Sequence, residues 1–361
     1  MAADLLVVGT GLIGTSLGLA LQGRARVLLT DADPATLAAA VDRGAGEPWD
    51  GSEAVTTAVV CTPPGVVAGE VARLQALGVS RTQTHVSSVQ AAVQAGLEAQ
   101  GCDPASVCGS HPMAGRERSG PGAATGTLFA GRPWVLCPGP ATRAQALSDV
   151  EELVAASGAT PVRLGPDDHD AAVALVSHLP QLAASALAAQ LAGGGRDAAA
   201  LAGPGLQDST RIAGSDPRLW REVLRLNAAN VAPLLAGLAR DLTAAADALG
   251  RVAADAADAD ALDDVVEVLR RGVAGRALVP VKRGERDAAF VSVAVQVSDR
   301  PGQIAGLLVA AGQADVNVED VRVDHVPGRP QGVIELAVRA PARAHLEAAL
   351  RAGGWDVLSR E

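Results

Sequence analysis

Residues 5–14 read Leu-Leu-Val-Val-Gly-Thr-Gly-Leu-Ile-Gly, and this stretch sets the architecture of the first half of the chain. Four apolar residues, Leu5–Val8, suit a buried parallel strand, which needs no polar alternation because both faces are covered. Gly9-Thr10-Gly11-Leu12-Ile13-Gly14 follows at once, and Thr15–Leu21 reads as a helix. In that strand–turn–helix setting each glycine has a task. Gly9 permits the tight turn, Gly11 lets the backbone approach a pyrophosphate, and Gly14 lets the helix pack closely on the strand. The helix start, with Leu12 and Ile13, then turns its unpaired N–H groups toward the phosphates of a dinucleotide.

A second strand, Val27–Thr30, ends at Asp31. An acid there bonds both ribose hydroxyls of NAD and repels the extra phosphate of NADP. Asp33 is a second candidate for that role. Farther on, Ala58–Cys61 is a strand closed by Thr62-Pro63-Pro64, where Thr62 and Pro63 would border the cofactor. Thr84–Ser87, Val107–Gly109 and Trp134–Cys137 are further strands. Strands alternating with helices up to about residue 167 imply a Rossmann-type α/β domain with a doubly wound parallel sheet.

Residues 109–120 read Gly-Ser-His-Pro-Met-Ala-Gly-Arg-Glu-Arg-Ser-Gly. They place His111 beside a proline in a glycine-rich segment, with Glu117 six residues on. A histidine titrates near neutral pH and suits proton transfer, although a Gly/Pro-rich turn is often purely structural. Its position after a strand end, on the cofactor's side of the sheet, favours the chemical role.

From about Asp168 to Arg271 the strand signals vanish and the pattern is helical. One long helix, Asp170–Leu191, contains Ser177-His178-Leu179-Pro180. Pro180 removes the partner of the Val176 carbonyl and predicts a kink beside His178, which reads equally as a core residue or a cleft residue. Arg211 offers a fork for a carboxylate, with Asp208 three residues earlier to hold it, or else a surface ion pair. Ser215 or Asp216, with Pro217, starts a helix, and Trp220 within it reads first as core packing. Gly237–Gly250 and Asp255–Arg271 carry apolar stripes with acidic faces, which suits a helical dimer.

Residues 274–287 read as a basic linker. Beyond it the order strand (Val291–Val297), helix (around Ile304, Leu307 and Leu308), strands (Val316–Val326 and Val333–Val338), helix (Ala342–Ala352) and strand (Trp355–Leu358) is that of a ferredoxin-like βαββαβ domain. It has no catalytic set, and a binding or regulatory module is expected, with a plain dimerisation domain as the alternative. The divisions are thus 1–167, 168–272, a linker 273–287, and 288–361.

The formal net charge of −10 argues against a nucleic-acid partner. The four cysteines show no C-x-x-C spacing and look like reduced cytosolic thiols. No basic leader precedes the glycine loop and no apolar run reads as reaching the roughly 18–20 residues that span a bilayer, so a cytoplasmic enzyme with no membrane contact and no metal site is expected.

In their order along the chain, the Gly-Leu-Ile-Gly loop, Gly-Ser-His-Pro-Met-Ala-Gly-x-Glu-x-Ser-Gly, Ser-His-Leu-Pro and Asp-x-Thr-Arg-Ile-Ala-x-Ser-Asp-Pro closely resemble the prephenate dehydrogenases of tyrosine biosynthesis fused to a C-terminal ACT domain. The resemblance implies NAD-dependent oxidative decarboxylation of prephenate to 4-hydroxyphenylpyruvate, feedback regulation by tyrosine through the ACT domain, and a homodimer. It implies that His111 accepts the C4 hydroxyl proton and that Ser88 bonds His111 or that hydroxyl. By the same resemblance, His178 is a second active-site histidine, Arg211 holds a carboxylate, Glu117 gates the pocket, and Trp220 approaches across the dimer. Three places depart from the family pattern. Gln90 stands where the family often has Lys, Gln181 where it often has His, and Gly203-Pro-Gly-Leu206 where it often has Gly-Gly-Gly-Phe. By the resemblance, Gln181 removes a titratable group that would help bind the side-chain carboxylate, which keeps arogenate open as the substrate. A non-catalytic sensor of NAD and an amino acid is the reading from another class. A β-hydroxyacid or imine dehydrogenase would usually want a lysine in the helical part, and none stands between Asp168 and Arg271.

Overall fold

The computed structural model describes residues 5–116, 118–193, 201–255, 258–279, 290–325 and 331–358. The chain divides into two compact units, residues 1–244 and 245–361.

The first unit is built on an eight-stranded sheet in the order β3-β2-β1-β4-β5-β6-β7-β8. Its strands are β1 (Leu5–Val8), β2 (Val27–Thr30), β3 (Glu47–Pro48), β4 (Val55–Val60), β5 (Ser80–His85), β6 (Val107–Pro112), β7 (Pro133–Pro138) and β8 (Thr160–Arg163). Between them run helices α1 (Leu12–Ala20), α2 (Pro34–Asp42), α3 (Pro64–Leu77), α4 (Ala91–Ala99) and α5 (Ala144–Ala156). The period-two alternation of a strand divides β1 between two cores. Leu5 and Val7 face α1, α2 and α5 through Leu17, Ala40 and Val150. Leu6 and Val8 face α3 and α4 through Val67, Val71, Val93 and Leu97. Both faces are therefore covered, as the apolar runs predict.

One expectation fails. The sheet is not wholly parallel, because β6 and β7 pair antiparallel from Cys108↔Pro138 to Pro112↔Trp134. A parallel return needs a crossover helix. Among the described residues between β6 and β7 there is only a short helical turn, Pro121–Ala123, so β7 comes back alongside. That pairing also extends β6 to Pro112, so His111 lies in the strand, opposite Val135, and not in a loop beyond it.

The helical part begins with a run of 28 residues, Pro166–Gly193. It comprises α6 (Pro166–Val173), a π-helical segment Ala174–His178, and α7 (Leu179–Gln190). The π segment sits immediately before Pro180, where the lost N–H and the ring forbid the regular ladder. By length and composition alone this run is apolar enough to cross a membrane, contrary to the sequence expectation. Yet His169, Asp170 and His178 on it are buried within the unit. Next come α8 (Pro204–Thr210), a single turn Arg211–Gly214, α9 (Pro217–Leu226) and α10 (Ala228–Ala254). Asp216 caps α9 by accepting the Arg218 N–H at 2.9 Å, the start read from the sequence.

In the second unit, α11 (Asp263–Leu278) occupies part of the expected linker, and the rest of that linker lies outside the described residues. The remainder is a four-stranded antiparallel sheet, β10-β11-β9-β12. It is made of β9 (Phe290–Ser298), β10 (Asp320–His325), β11 (Gln331–Arg339) and β12 (Asp356–Leu358), with α12 (Gln303–Gln313) and α13 (Arg343–Ala352). This is the expected βαββαβ order. Val293, Val295 and Val297 pack with Leu307, Ile334, Leu336, Leu346 and Leu350. The β10 strand starts later than expected, because Asp315 takes a left-handed backbone (φ 55°) and Val316 turns into the core before pairing begins.

Candidate active site

In an open α/β sheet, ligands lie outside the carboxyl ends of the strands where the strand order reverses. Here that point falls between β1 and β4. Gly9, with φ 95°, turns the chain away from β1, and a side chain there would strike the Cys61 carbonyl carbon at 2.9 Å. Gly14 is closed in more tightly, since a Cβ would lie 2.0 Å from the Gly9 carbonyl oxygen. Gly11 has open space around it. It starts α1, whose Leu12 and Ile13 rest on the core, with no side chain capping the helix N–H groups. The three glycines thus divide into two that let the turn close and one that leaves room for a ligand.

Fully buried Thr10 donates its N–H at 2.6 Å and its hydroxyl at 2.9 Å to Asp31 Oδ2. Asp31 Oδ1 accepts the Asp33 N–H at 2.9 Å. Asp31 is therefore fixed at the end of β2. Asp33 instead caps α2, accepting from Ala35 N, Thr36 N and the Thr36 hydroxyl at 3.1, 3.3 and 2.6 Å. The Thr36 hydroxyl is the main cause of its lowered pKa. Of the two sequence candidates, Asp31 is held at the end of the strand, while Asp33 is taken up by the helix cap. Beside the turn, Thr62 Oγ1 is buried with no partner among the described residues, and Pro63 leads into α3. An orphan hydroxyl, a spacious Gly11 and an uncapped helix start fit a dinucleotide.

Half-buried His111 does not pair with Ser88. Its Nδ1 lies 2.9 Å from Nε2 of His169, with the ring planes 71° apart. His169 is wholly buried, and its Nδ1 lies 2.8 Å from Asp170 Oδ1. Asp170 in turn accepts the N–H groups of Gln90 (2.8 Å) and Ala91 (2.9 Å), and so caps α4 from a distant element. Gln90, the residue standing in place of a cation, donates to the carbonyls of Ser87 (2.7 Å) and Ser110 (3.0 Å). It thereby ties the Ser88 segment to β6. Ser88 is half-buried with no hydrogen bond among the described residues, whereas the neighbouring Ser87 hydroxyl is buried without a partner.

His178 is buried against Trp220, edge to face at 5.7 Å, so Trp220 reaches the site from its own chain. Asn227 Nδ2 lies 3.1 Å from His178 Nδ1 and donates to the Asp170 carbonyl at 2.8 Å. Gln181 is buried and donates to the Ser185 hydroxyl at 3.3 Å. Arg211 opens the turn after α8 and is exposed, as is Asp208 one turn earlier. Glu117 lies outside the described residues. Glu222 on α9 accepts the Gly65 N–H at 2.7 Å, fastening the helical part to the start of α3.

Burial, reinforced by the neighbouring rings, pushes His111 down to about 3. Burial likewise pushes His85, at the end of β5, to about 4 and lowers His178. A ring held unprotonated at neutral pH can take up a proton.

Sequence reasoning missed His169, Asp170 and Asn227. His169 and His178 are nine positions apart, which on a regular helix puts them on opposite faces, about 180° apart. The π segment adds a residue to the turn and brings the two toward the same side. A histidine–aspartate doublet a few residues before a predicted proline kink was the available signal.

Comparison with known proteins gives a consistent result. The family model described as prephenate dehydrogenase, nucleotide-binding domain, matches residues 17–163, and that described as prephenate dehydrogenase, dimerization domain, matches residues 165–270. A probable prephenate dehydrogenase, NovF of Streptomyces niveus, is 37% identical over 98% of this chain and 99% of its own. The Aquifex aeolicus prephenate dehydrogenase structure with hydroxyphenyl propionate and NAD+ is 26% identical, with a TM-score of 0.66 over 76% of this chain and 98% of that one. The Synechocystis arogenate dehydrogenase structure is also 26% identical, with a TM-score of 0.61 over 76% of this chain and 98% of that one.

Proposed function

The chain belongs to the prephenate dehydrogenase family, and from that premise we propose that it is an NAD-dependent cytoplasmic oxidoreductase that converts prephenate to 4-hydroxyphenylpyruvate. The observation that carries this reading is the buried line from Asp170 through His169 to His111, beside the nucleotide turn's end of the sheet. Gly9, Gly11, Gly14 and the helix start at Leu12–Ile13 would hold the pyrophosphate, and Asp31 the ribose. Bound there, NAD supplies the acceptor for a hydride. His111 takes the proton of the C4 hydroxyl as the ring carbon is oxidised. The ketone so formed is conjugated to the carbon bearing the ring carboxylate, whose loss as CO2 makes the ring aromatic. Ser88 has a hydroxyl to spare for the same oxygen, and Arg211 would hold a carboxylate.

Arogenate is the second reading, and Gln181 favours it. A buried neutral amide bonded to Ser185 adds no positive charge for a keto-acid side chain. Steady-state assays with both substrates, each with NAD and NADP, decide. A higher kcat/KM with prephenate and NAD is expected. A higher value with arogenate transfers the assignment, and no NADH from either substrate leaves a sensor of NAD and an amino acid.

For the βαββαβ unit we propose an ACT-type regulatory role with tyrosine as effector, and for residues 168–272 substrate binding and homodimerisation. Tyrosine should bind the full chain in calorimetry and inhibit turnover. Absence of both removes the effector assignment.

A further inference from the structure

We infer that Asp170 is a positioning residue that fixes the protons of both active-site histidines in opposite senses, leaving His111 Nε2 an acceptor and His178 Nε2 a donor. The inference rests on the reading of His111 as the base, and it extends that reading to a residue with no substrate contact.

The first half of the argument follows the Asp170 side chain. Its Oδ1 and Oδ2 each accept a backbone N–H, from Gln90 and Ala91. A carboxylate so engaged is an acceptor on both oxygens, so the His169 Nδ1 that lies 2.8 Å from Oδ1 carries a hydrogen. With its hydrogen on Nδ1, His169 offers a lone pair at Nε2. His111 Nδ1, 2.9 Å away, is then the donor. The lone pair of His111 is left on Nε2, the nitrogen free to take a proton.

The second half follows the Asp170 main chain. The carbonyl oxygen of Asp170 can only accept, so the Asn227 amide atom 2.8 Å from it is the nitrogen. The other end of that amide accepts from Asn230 Nδ2 at 2.8 Å, which agrees. The second Nδ2 hydrogen points at His178 Nδ1, 3.1 Å away, which must therefore be unprotonated. A neutral His178 then carries its hydrogen on Nε2 and donates, as a substrate oxygen requires.

The arrangement also accounts for charge. When His111 gains a proton at Nε2, its Nδ1 hydrogen can pass to His169 Nε2. The positive charge then stands beside the Asp170 carboxylate, and no other reactant is needed. A buried base otherwise resists the proton it must accept, and a paired carboxylate offsets that resistance.

Long-range 1H–15N correlation on histidine-labelled full-length protein reads the tautomers without substrate, with single His→Gln variants for assignment. His111 and His169 are expected as Nδ1–H and His178 as Nε2–H near pH 7.5. An Nε2–H resonance for His111, or a doubly protonated His169, overturns the inference whatever the enzyme's substrate proves to be. His169→Gln keeps an acceptor for His111, so it should preserve the His111 tautomer and hold kcat within about tenfold of the parent. His169→Leu should lose the tautomer and roughly 100-fold or more in kcat, with KM little changed. Equal kcat for the two variants also overturns it. Asp170→Asn should behave as His169→Leu, and if it fails to fold the His169 pair still decides.

Discussion

The glycine turn after β1 and the histidine cluster beside β6 lie on one sheet but are built from different materials. The turn is backbone. Its contribution is space and N–H groups, and its tightest approach is local, with a Cβ at Gly14 only 2.0 Å from the Gly9 oxygen. The cluster is side chain. It draws His111 from a strand, His169, Asp170 and His178 from a helix with a π segment, and Asn227 from the end of another helix. The first should fail where added atoms meet backbone, as at Gly14, and the charge of its side chains should matter little to its folding. The second should tolerate volume and care about every proton.

The largest expected effect lies in the cluster. His111→Asn should reduce kcat by roughly 10^3–10^4, about 4–5 kcal/mol of lost transition-state stabilisation, while NAD dissociation stays within about twofold. Equal loss of NAD affinity would erase the division between the two regions, and an unchanged kcat would make His111 structural.

That contrast also explains what the sequence could disclose. A glycine pattern between a strand and a helix is local, and so was readable. So was the βαββαβ order, because Val291, Val293, Val295 and Val297 alternate with Ser292, Ala294 and Gln296. The direction of β7 was not, because it depends on a crossover helix that the intervening segment lacks. Nor was the partner of His111. Ser88 was assigned by resemblance, while the observed partner, His169, sits at the start of the helical part, where the sequence marked only a boundary. Regular helical periodicity also hides its relation to His178, which depends on the π segment between them.

Within the turn, two glycines of the same motif should fail differently. Gly14→Ala puts a methyl 2.0 Å from the Gly9 oxygen and 2.9 Å from Val7 Cγ1. It should cost about 3 kcal/mol in denaturant unfolding, as overpacking against backbone does. Gly11→Ala meets nothing within 4 Å. It should leave stability within about 0.5–1 kcal/mol, the range of a Gly-to-Ala exchange, and weaken NAD binding alone. If both lose stability equally, Gly11 is structural and the space beside it is not kept for a ligand.

Acid stability separates the regions again. His85 is buried, and that burial, with the neighbouring His169, holds its pKa near 4 against an ordinary 6.5. The unfolded chain therefore binds more protons between those values, so stability is complete above about 6.5 and falls as pH drops toward 4. The loss is at most about 3 kcal/mol for a shift of this size. His85→Gln should flatten the decline in urea midpoints between pH 6.5 and 4. An unaltered slope would assign the acid sensitivity to other groups.

The smallest effect expected on turnover is at Asp31, where the turn depends on a side chain after all. Thr10 donates twice to one carboxylate oxygen, and the Asp33 N–H engages the other. The group is thus held in place before any cofactor arrives, and ordering it adds no cost to binding. Its negative charge repels a ribose phosphate whatever happens at the histidines. Asp31→Ser should therefore lower the ratio of kcat/KM for NAD over NADP by roughly 10- to 100-fold, about 1.4–2.8 kcal/mol. The change should appear in KM, with kcat at saturating NAD nearly unchanged. A fall in kcat of the same size would mean that the carboxylate influences the reacting end of the cofactor, and the two regions would then be coupled through the nucleotide. A ratio that does not move would transfer cofactor choice from Asp31 to another residue near the turn, leaving the Thr10–Asp31 bonds as a brace between β2 and the loop.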